Sequence, residues 1–210
     1  MDIATIVIIA INALVSFKGF EDRYFFDKYK FNIAGIQRGE QARFVTSGFL
    51  HADLQHLAFN MITLFFFAGY VVNNLGTPSF LLIYAVSLLA GNFLSYALHK
   101  DEYHYSAIGA SGAVSGIIYA AILLDPSIYI YGLIPGYIFG IGYMVYTIYG
   151  MKTKTDNIGH DAHFGGAAGG LISTIIYKPS LLQDQTLTVV LLCVPIIVLF
   201  ILIKTGKLNN

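Results

Sequence analysis

Ser111 stands in Gly109-Ala110-Ser111-Gly112 and His163 in Ala162-His163-Phe164-Gly165-Gly166, two apolar stretches of small residues. A hydroxyl is a poor nucleophile until a neighbour takes its proton, and imidazole does this well near neutral pH. The pair predicts acyl-transfer chemistry, provided the two segments touch. Such chemistry also needs donors for the developing oxyanion, each contributing about 3 kcal/mol. His56 and Asn60, four apart on one helical face, are candidate donors. Taken singly, Gly-Ala-Ser-Gly is explained by close helix packing and Asn60 by a hydrogen bond between helices. Their joint occurrence points to catalysis.

All six histidines fall in three pairs: His51 and His56, His99 and His104, His160 and His163. A zinc site from His51, His56, His160 and His163 is the other enzyme reading. It has no His-Glu-x-x-His pattern behind it, and His51 and His56 are five apart. No metal and no cofactor are expected. Asp156 and Asp161 invite a triad, but exposed loop acids need no catalytic explanation, and Asp161 is only two residues before His163.

The elements that position these residues are membrane helices. Hydrophobic residues make up 56% of the 210-residue chain and charged ones 11%, against roughly a quarter charged in a soluble domain. Apolar runs near the length that spans a bilayer recur at 3–17, 54–72, 80–98, 107–124, 135–149, 163–177 and 187–203. The first has Asp2 where a signal peptide carries a basic region, so it reads as a helix that stays. Seven alternating spans put the links before the second, fourth and sixth on one face, and all six histidines sit there. The segment Lys18 to Ser47 mixes both charge signs with Tyr24, Phe25, Phe26 and Tyr29 and reads as an ordered interfacial stretch. Residues 73–78 and 125–127 read as tight turns. The glycine pairs Gly112/Gly116, Gly165/Gly169 and Gly166/Gly170 thin the fourth and sixth helices. That thinning would bring Ser111, about one turn into its helix, to His163 at the mouth of the other.

The order and spacing of three motifs, His51/His56/Asn60-Met61, Gly109-Ala110-Ser111-Gly112 and Ala162-His163-Phe164-Gly165-Gly166, resemble the rhomboid family of intramembrane serine proteases over about residues 40 to 175. The resemblance implies an all-α membrane protein, a rhomboid-like six-helix transmembrane bundle with an additional C-terminal seventh helix. Residues 1–210 would form a single polytopic domain, with the core at about 1–178 and the added helix at about 187–204. It implies Ser111 as nucleophile and His163 as general base, without a third acidic residue. His56, Asn60 and the Gly109-Ala110-Ser111 backbone would serve the oxyanion and substrate. Gly112, Gly165 and Gly166 would be structural, as would Arg43, which resembles the arginine of a first-loop Trp-Arg signature. Three departures stand out: Ala42 replaces that tryptophan, Ser115 stands where an aromatic often packs on the histidine, and Val72 stands where glutamate is common.

The partners implied are transmembrane protein substrates and the lipid bilayer. Net charge is zero and no basic stripe follows a phosphate backbone, which argues against nucleic acid. Cys193, the only cysteine, cannot form an intrachain disulfide. A catalytically inactive relative that binds membrane clients is the alternative; such proteins typically lack the serine or the histidine. A channel or transporter would need a polar stripe across the bundle. The localisation implied is a bacterial cell membrane, with the active site on the non-cytoplasmic side. The six Lys/Arg of residues 18–43 argue instead for a cytoplasmic histidine face. The fifth helix with the loop from Met151 to Asp161 is the expected mobile element.

Overall fold

The structure, a computed structural model, describes residues 2–130, 132–153 and 158–208. A helix forms at each of the seven apolar runs: α1 (Ile3–Glu21), α5 (Leu54–Leu75), α6 (Thr77–His99), α7 (Ser111–Leu124), α8 (Gly136–Thr153), α9 (His160–Tyr177) and α11 (Thr186–Lys204). Four of them, α1, α5, α6 and α11, are long and apolar enough to cross a membrane. Short helices α2 (Arg23–Tyr29), α3 (Ile33–Gln37) and α4 (Arg43–Thr46) fill the first connection, and α10 (Leu181–Asp184) precedes α11. The chain is a multi-pass integral membrane protein. Many large apolar side chains are exposed on the outer helices, Leu14, Phe66 and Phe200 among them, where lipid replaces water as their solvent.

Helix α7 is the axis of the bundle. Every residue from Gly112 to Leu124 is buried, and α5, α6, α8 and α9 all pack on it. It has 14 residues, so it rises about 21 Å at 1.5 Å per residue, well short of a hydrocarbon core about 30 Å thick. It is Ser111 that opens this short helix. The expected start at Ala107 is therefore corrected: Ser106–Ala107 is the two-residue strand β2, paired antiparallel with β1 (Phe31–Asn32), so that Phe31 faces Ala107. The hydroxyl thus sits at the N-terminus of α7 and not one turn inside. Conversely, α9 begins at His160, which puts His163 one turn in and not at its mouth.

Other boundaries move for local reasons. Gly76, at φ +78°, alone separates α5 from α6, because Thr77-Pro78 already begin the second helix, where a first-turn proline loses no hydrogen bond. The link after α7 is longer than a tight turn: it holds an antiparallel hairpin of β3 (Tyr129–Ile130) and β4 (Ile134–Pro135). Helix α8 packs on α9 and is flanked by α11, whose Leu192 abuts Gly140. Residues 154–157, Asp156 included, belong to the loop expected to move and lie outside the described residues.

Candidate active site

Glycine decides which helices meet at the site. A Cβ on Gly166 would overlap the Gly112 carbonyl, and one on Gly170 would overlap the backbone of Gly116. The adjacent pair Gly165 and Gly169 faces α6 instead, against Ala90, Gly91 and Ser87. Helix α9 therefore offers one bare face to α7 and another to α6. Ala162, beside His163, presses its carbonyl on Gly91, and an added Gly112 Cβ would lie 3.0 Å from that same oxygen. Ser111 and His163 thus belong to adjacent helices at the level where their backbones touch, and both side chains are half-buried.

The approach to Ser111 is held by its backbone. Gly109 adopts φ +118°, a conformation that side chains rarely accept. Its N–H donates to the Ser47 carbonyl at 3.0 Å, and the Ala110 N–H donates to His51 Nε2 at 3.4 Å. These bonds satisfy a non-helical stretch inside the protein, where unpaired groups are costly. Because α7 starts at Ser111, the N–H groups of its first turn have no acceptor within the helix, and they form the positive end of its dipole.

His51 is fully buried and completes a chain of hydrogen bonds. Ser16 Oγ donates to the Phe49 carbonyl at 3.0 Å and lies 2.8 Å from His51 Nδ1. With the Ser16 proton spent on Phe49, Nδ1–H is the donor of that second contact, leaving Nε2 to accept from Ala110. Burial, and then the neighbouring His56, push the His51 imidazole down to about 3, against a smaller opposing effect of Asp53. It is held neutral, and it ties α1 to the serine loop.

Helix α5 brings up His56 and Asn60. Asp53 caps it by accepting from the His56 N–H at 2.7 Å. His56 Nδ1 accepts from the Ala52 N–H at 3.4 Å, which leaves the ring proton on Nε2. That Nε2 faces Gly109: a Cβ there would lie 2.9 Å from it and 3.6 Å from Ser111 Oγ. Asn60, 3% exposed, spends one amide N–H on the His56 carbonyl at 3.0 Å, and the amide carries a second.

Arg43 is buried beneath the first loop. Its Nη1 donates to the carbonyls of Asp27 and Lys30 at 2.9 and 2.7 Å, closing the C-terminal end of α2, while Nε donates to Glu40 at 2.6 Å. The guanidinium holds the Glu40 carboxyl below the usual carboxylate range. Gly35 is bare so that Arg43 can pass. Ala42, in the place of the absent tryptophan, is exposed.

Asp161 requires correction. It is an inward-facing first-turn residue of α9, 3% exposed, not an exposed loop acid. Tyr105 donates to it at 3.1 Å, and His99 Nε2 stands 3.6 Å away. Burial and the Asp161 carboxylate raise the Tyr105 phenol far above its ordinary range. The cluster braces α9 against α6 and the loop before β2. It borders a cavity of about 220 Å³ whose lining also includes Gly150, His160 and Leu208. Among the described residues, no three His, Cys, Asp or Glu side chains gather to hold a metal ion.

Tyr143 of α8 escaped the sequence reading. Its ring stacks on His163, centroids 6.0 Å apart and planes at 18°, and its hydroxyl lies 2.8 Å from Ser115 Oγ. The available signal was the aromatic row Phe139, Tyr143 and Tyr146 on one helical side, together with the short serine at position 115.

A rhomboid-domain family profile matches residues 38–180. RHOMBOID-like protein 12, mitochondrial, of Arabidopsis thaliana is 27% identical over 80% of this chain and 56% of its own length. YdcA of Bacillus subtilis, provisionally named a rhomboid protease, is 40% identical over 40% of this chain and 41% of its own. The presenilin-associated rhomboid-like protein, mitochondrial, of Homo sapiens is 32% identical over 60% of this chain and 35% of its own. The chain spans about half or less of the length of these relatives. With helices of this kind around a profile match covering most of its length, the chain belongs to the rhomboid family.

Proposed function

We propose that this chain is an intramembrane serine endopeptidase that cuts the transmembrane segments of other membrane proteins. The observation that carries the reading is the bare contact of α7 with α9 at Gly112 and Gly166, beside Ser111 and His163. In this reading Ser111 Oγ attacks the scissile carbonyl while His163 takes its proton. The tetrahedral oxyanion draws on His56 Nε2–H, the second Asn60 amide proton and the Ser111 N–H. His163 then gives its proton to the leaving amine, and the acyl-enzyme forms. Water, deprotonated by the same imidazole, attacks the ester and frees Ser111.

A transmembrane helix conceals its peptide bonds, so the substrate has to unwind before it reaches the serine. Segments with glycine or other weak helix formers are the expected sites. The core corresponds to six helices, with α11 as the added seventh. We place the site on the non-cytoplasmic side. The cations of the first loop that argue against this belong to a folded segment: Lys18, Arg23, Lys30, Arg38 and Arg43 all pair with acids of the same loop.

The test is a serine-reactive fluorophosphonate on purified chain, with cleavage of a reporter transmembrane substrate in liposomes. Labelling and cleavage are expected for the parent and lost in Ser111→Ala and His163→Ala. Cleavage by Ser111→Ala at the parent's rate would sink the proposal.

A further inference from the structure

We propose that Tyr143 is a positioning residue for His163, a role that rests on the Ser111–His163 reading, and that through it the base is oriented only while α8 is seated. One side chain touches His163 directly and reaches the Ser111 backbone through Ser115. Its ring lies against the His163 imidazole at 6.0 Å and 18°, within the range of offset stacking. Its hydroxyl reaches Ser115 Oγ at 2.8 Å, and Ser115 Oγ donates to the Ser111 carbonyl at 2.7 Å. Since that bond uses the serine's only proton, the Tyr143 hydroxyl is the donor to Ser115. The relay runs from Tyr143 to Ser115 to the backbone of Ser111.

The tyrosine is itself fixed. Phe139 stacks on it at 5.9 Å and 18°, and the Tyr119 ring stands 6.4 Å away while its hydroxyl bonds the Gly140 carbonyl of the same helix. Alongside, Tyr146 meets His160 edge-on at 5.0 Å. Two aromatics of α8 therefore clasp two histidines one turn apart on α9. An aromatic carried on α7 would move with the serine. Carried on α8, the ring depends on a helix that packs on its neighbours through Gly140 and Gly150. Displacing α8 removes the ring from His163 and the partner from Ser115 in one motion. A stacked ring both limits imidazole rotation and stabilises the imidazolium formed when the serine proton arrives.

The experiment uses the full chain in liposomes, with fluorophosphonate labelling rate, kcat and KM on a reporter substrate, and thermal unfolding. Tyr143→Ala is expected to lower kcat and labelling by about tenfold at unchanged KM, the size of one cation–ring contact. Tyr143→Phe, which keeps the ring, stays within about threefold. The exchange Ser115→Tyr with Tyr143→Ala regains most of the loss by returning a ring to the histidine from α7. Parental kcat in Tyr143→Ala would overturn the proposal, and so would a loss in Tyr143→Phe as large as in Tyr143→Ala. Should Tyr143→Ala not fold, Tyr143→Phe and the exchange decide. If Ser111→Ala and His163→Ala abolish labelling while Tyr143→Ala matches the parent, only the positioning role falls. If those two variants label like the parent, the dyad reading falls with it.

Discussion

Gly166 of α9 rests on the carbonyl of Gly112 of α7 so closely that a single added methyl would overlap it. The neighbour is backbone, with no flexible side chain to yield, so Gly166→Ala has to push the helices apart. Overpacking of this sort costs about 1 to 3 kcal/mol, and a shift of about 1 Å between reacting groups costs about a hundredfold in rate. Gly166→Ala is expected to lower the unfolding temperature and reduce cleavage about a hundredfold. Gly69→Ala, on a part of α5 with open space around it, is expected to leave both unaltered. Thermal unfolding and cleavage assays on both variants check this, and parental cleavage by Gly166→Ala would refute it.

His56 and Asn60 are proposed to act when charge appears on the carbonyl oxygen, so they contribute to the transition state more than to substrate binding. Asn60→Ala and His56→Ala are each expected to lower kcat about a hundredfold or more with little effect on KM. Because His56 also packs against Gly109, its loss is expected to loosen the serine loop, whereas the Asn60 bond stays within α5. Steady-state kinetics on a reporter substrate separate the two constants. A raised KM at parental kcat would move these residues from oxyanion to binding duty.

Arg43 holds two carbonyls at the end of α2 through one nitrogen and Glu40 through the others. Lysine offers a point charge and cannot serve both directions. Arg43→Lys is expected to destabilise the first loop by about 1 to 3 kcal/mol and to speed proteolytic cutting between α2 and α4, while the helices stay intact. Limited proteolysis with mass spectrometry reads the result, and a parental cutting pattern would show that the charge alone suffices.

What could be read in the sequence follows from what periodicity and composition encode. The seven apolar runs each became a helix because hydrocarbon-length segments have few alternatives. The glycine spacing foretold a close approach of the fourth and sixth helices, but not that only Gly166 and Gly170 meet Gly112 and Gly116 while Gly165 and Gly169 turn to α6. Hidden were features set by non-local pairing. The pairing of Phe31 with Ala107 takes residues 106–107 out of the helix, so α7 starts at Ser111. Asp161 looked exposed because its partners, Tyr105 and His99, are more than fifty residues away in sequence. Tyr143 was missed because a stack between helices leaves no spacing rule within either one.

His51 gives the chain a built-in response to acid. In the folded protein its imidazole is pushed down to about 3 by burial and by His56, while in the unfolded chain it titrates near 6.5. A base whose folded value is depressed stays neutral in the native state and takes up a proton on unfolding. Its contribution to stability is therefore whole above 6.5 and is lost progressively as pH falls from 6.5 towards 3. At pH 5 the loss amounts to about 2 kcal/mol. Protonation would also cost the acceptor at Nε2 that holds the Ala110 N–H, so the serine loop and the fold should loosen together. His51→Gln is expected to be less stable at pH 7 yet to show a flatter decline between pH 6.5 and 4. Unfolding in detergent across that range tests it, and parallel curves for parent and variant would mean that another group carries the acid sensitivity.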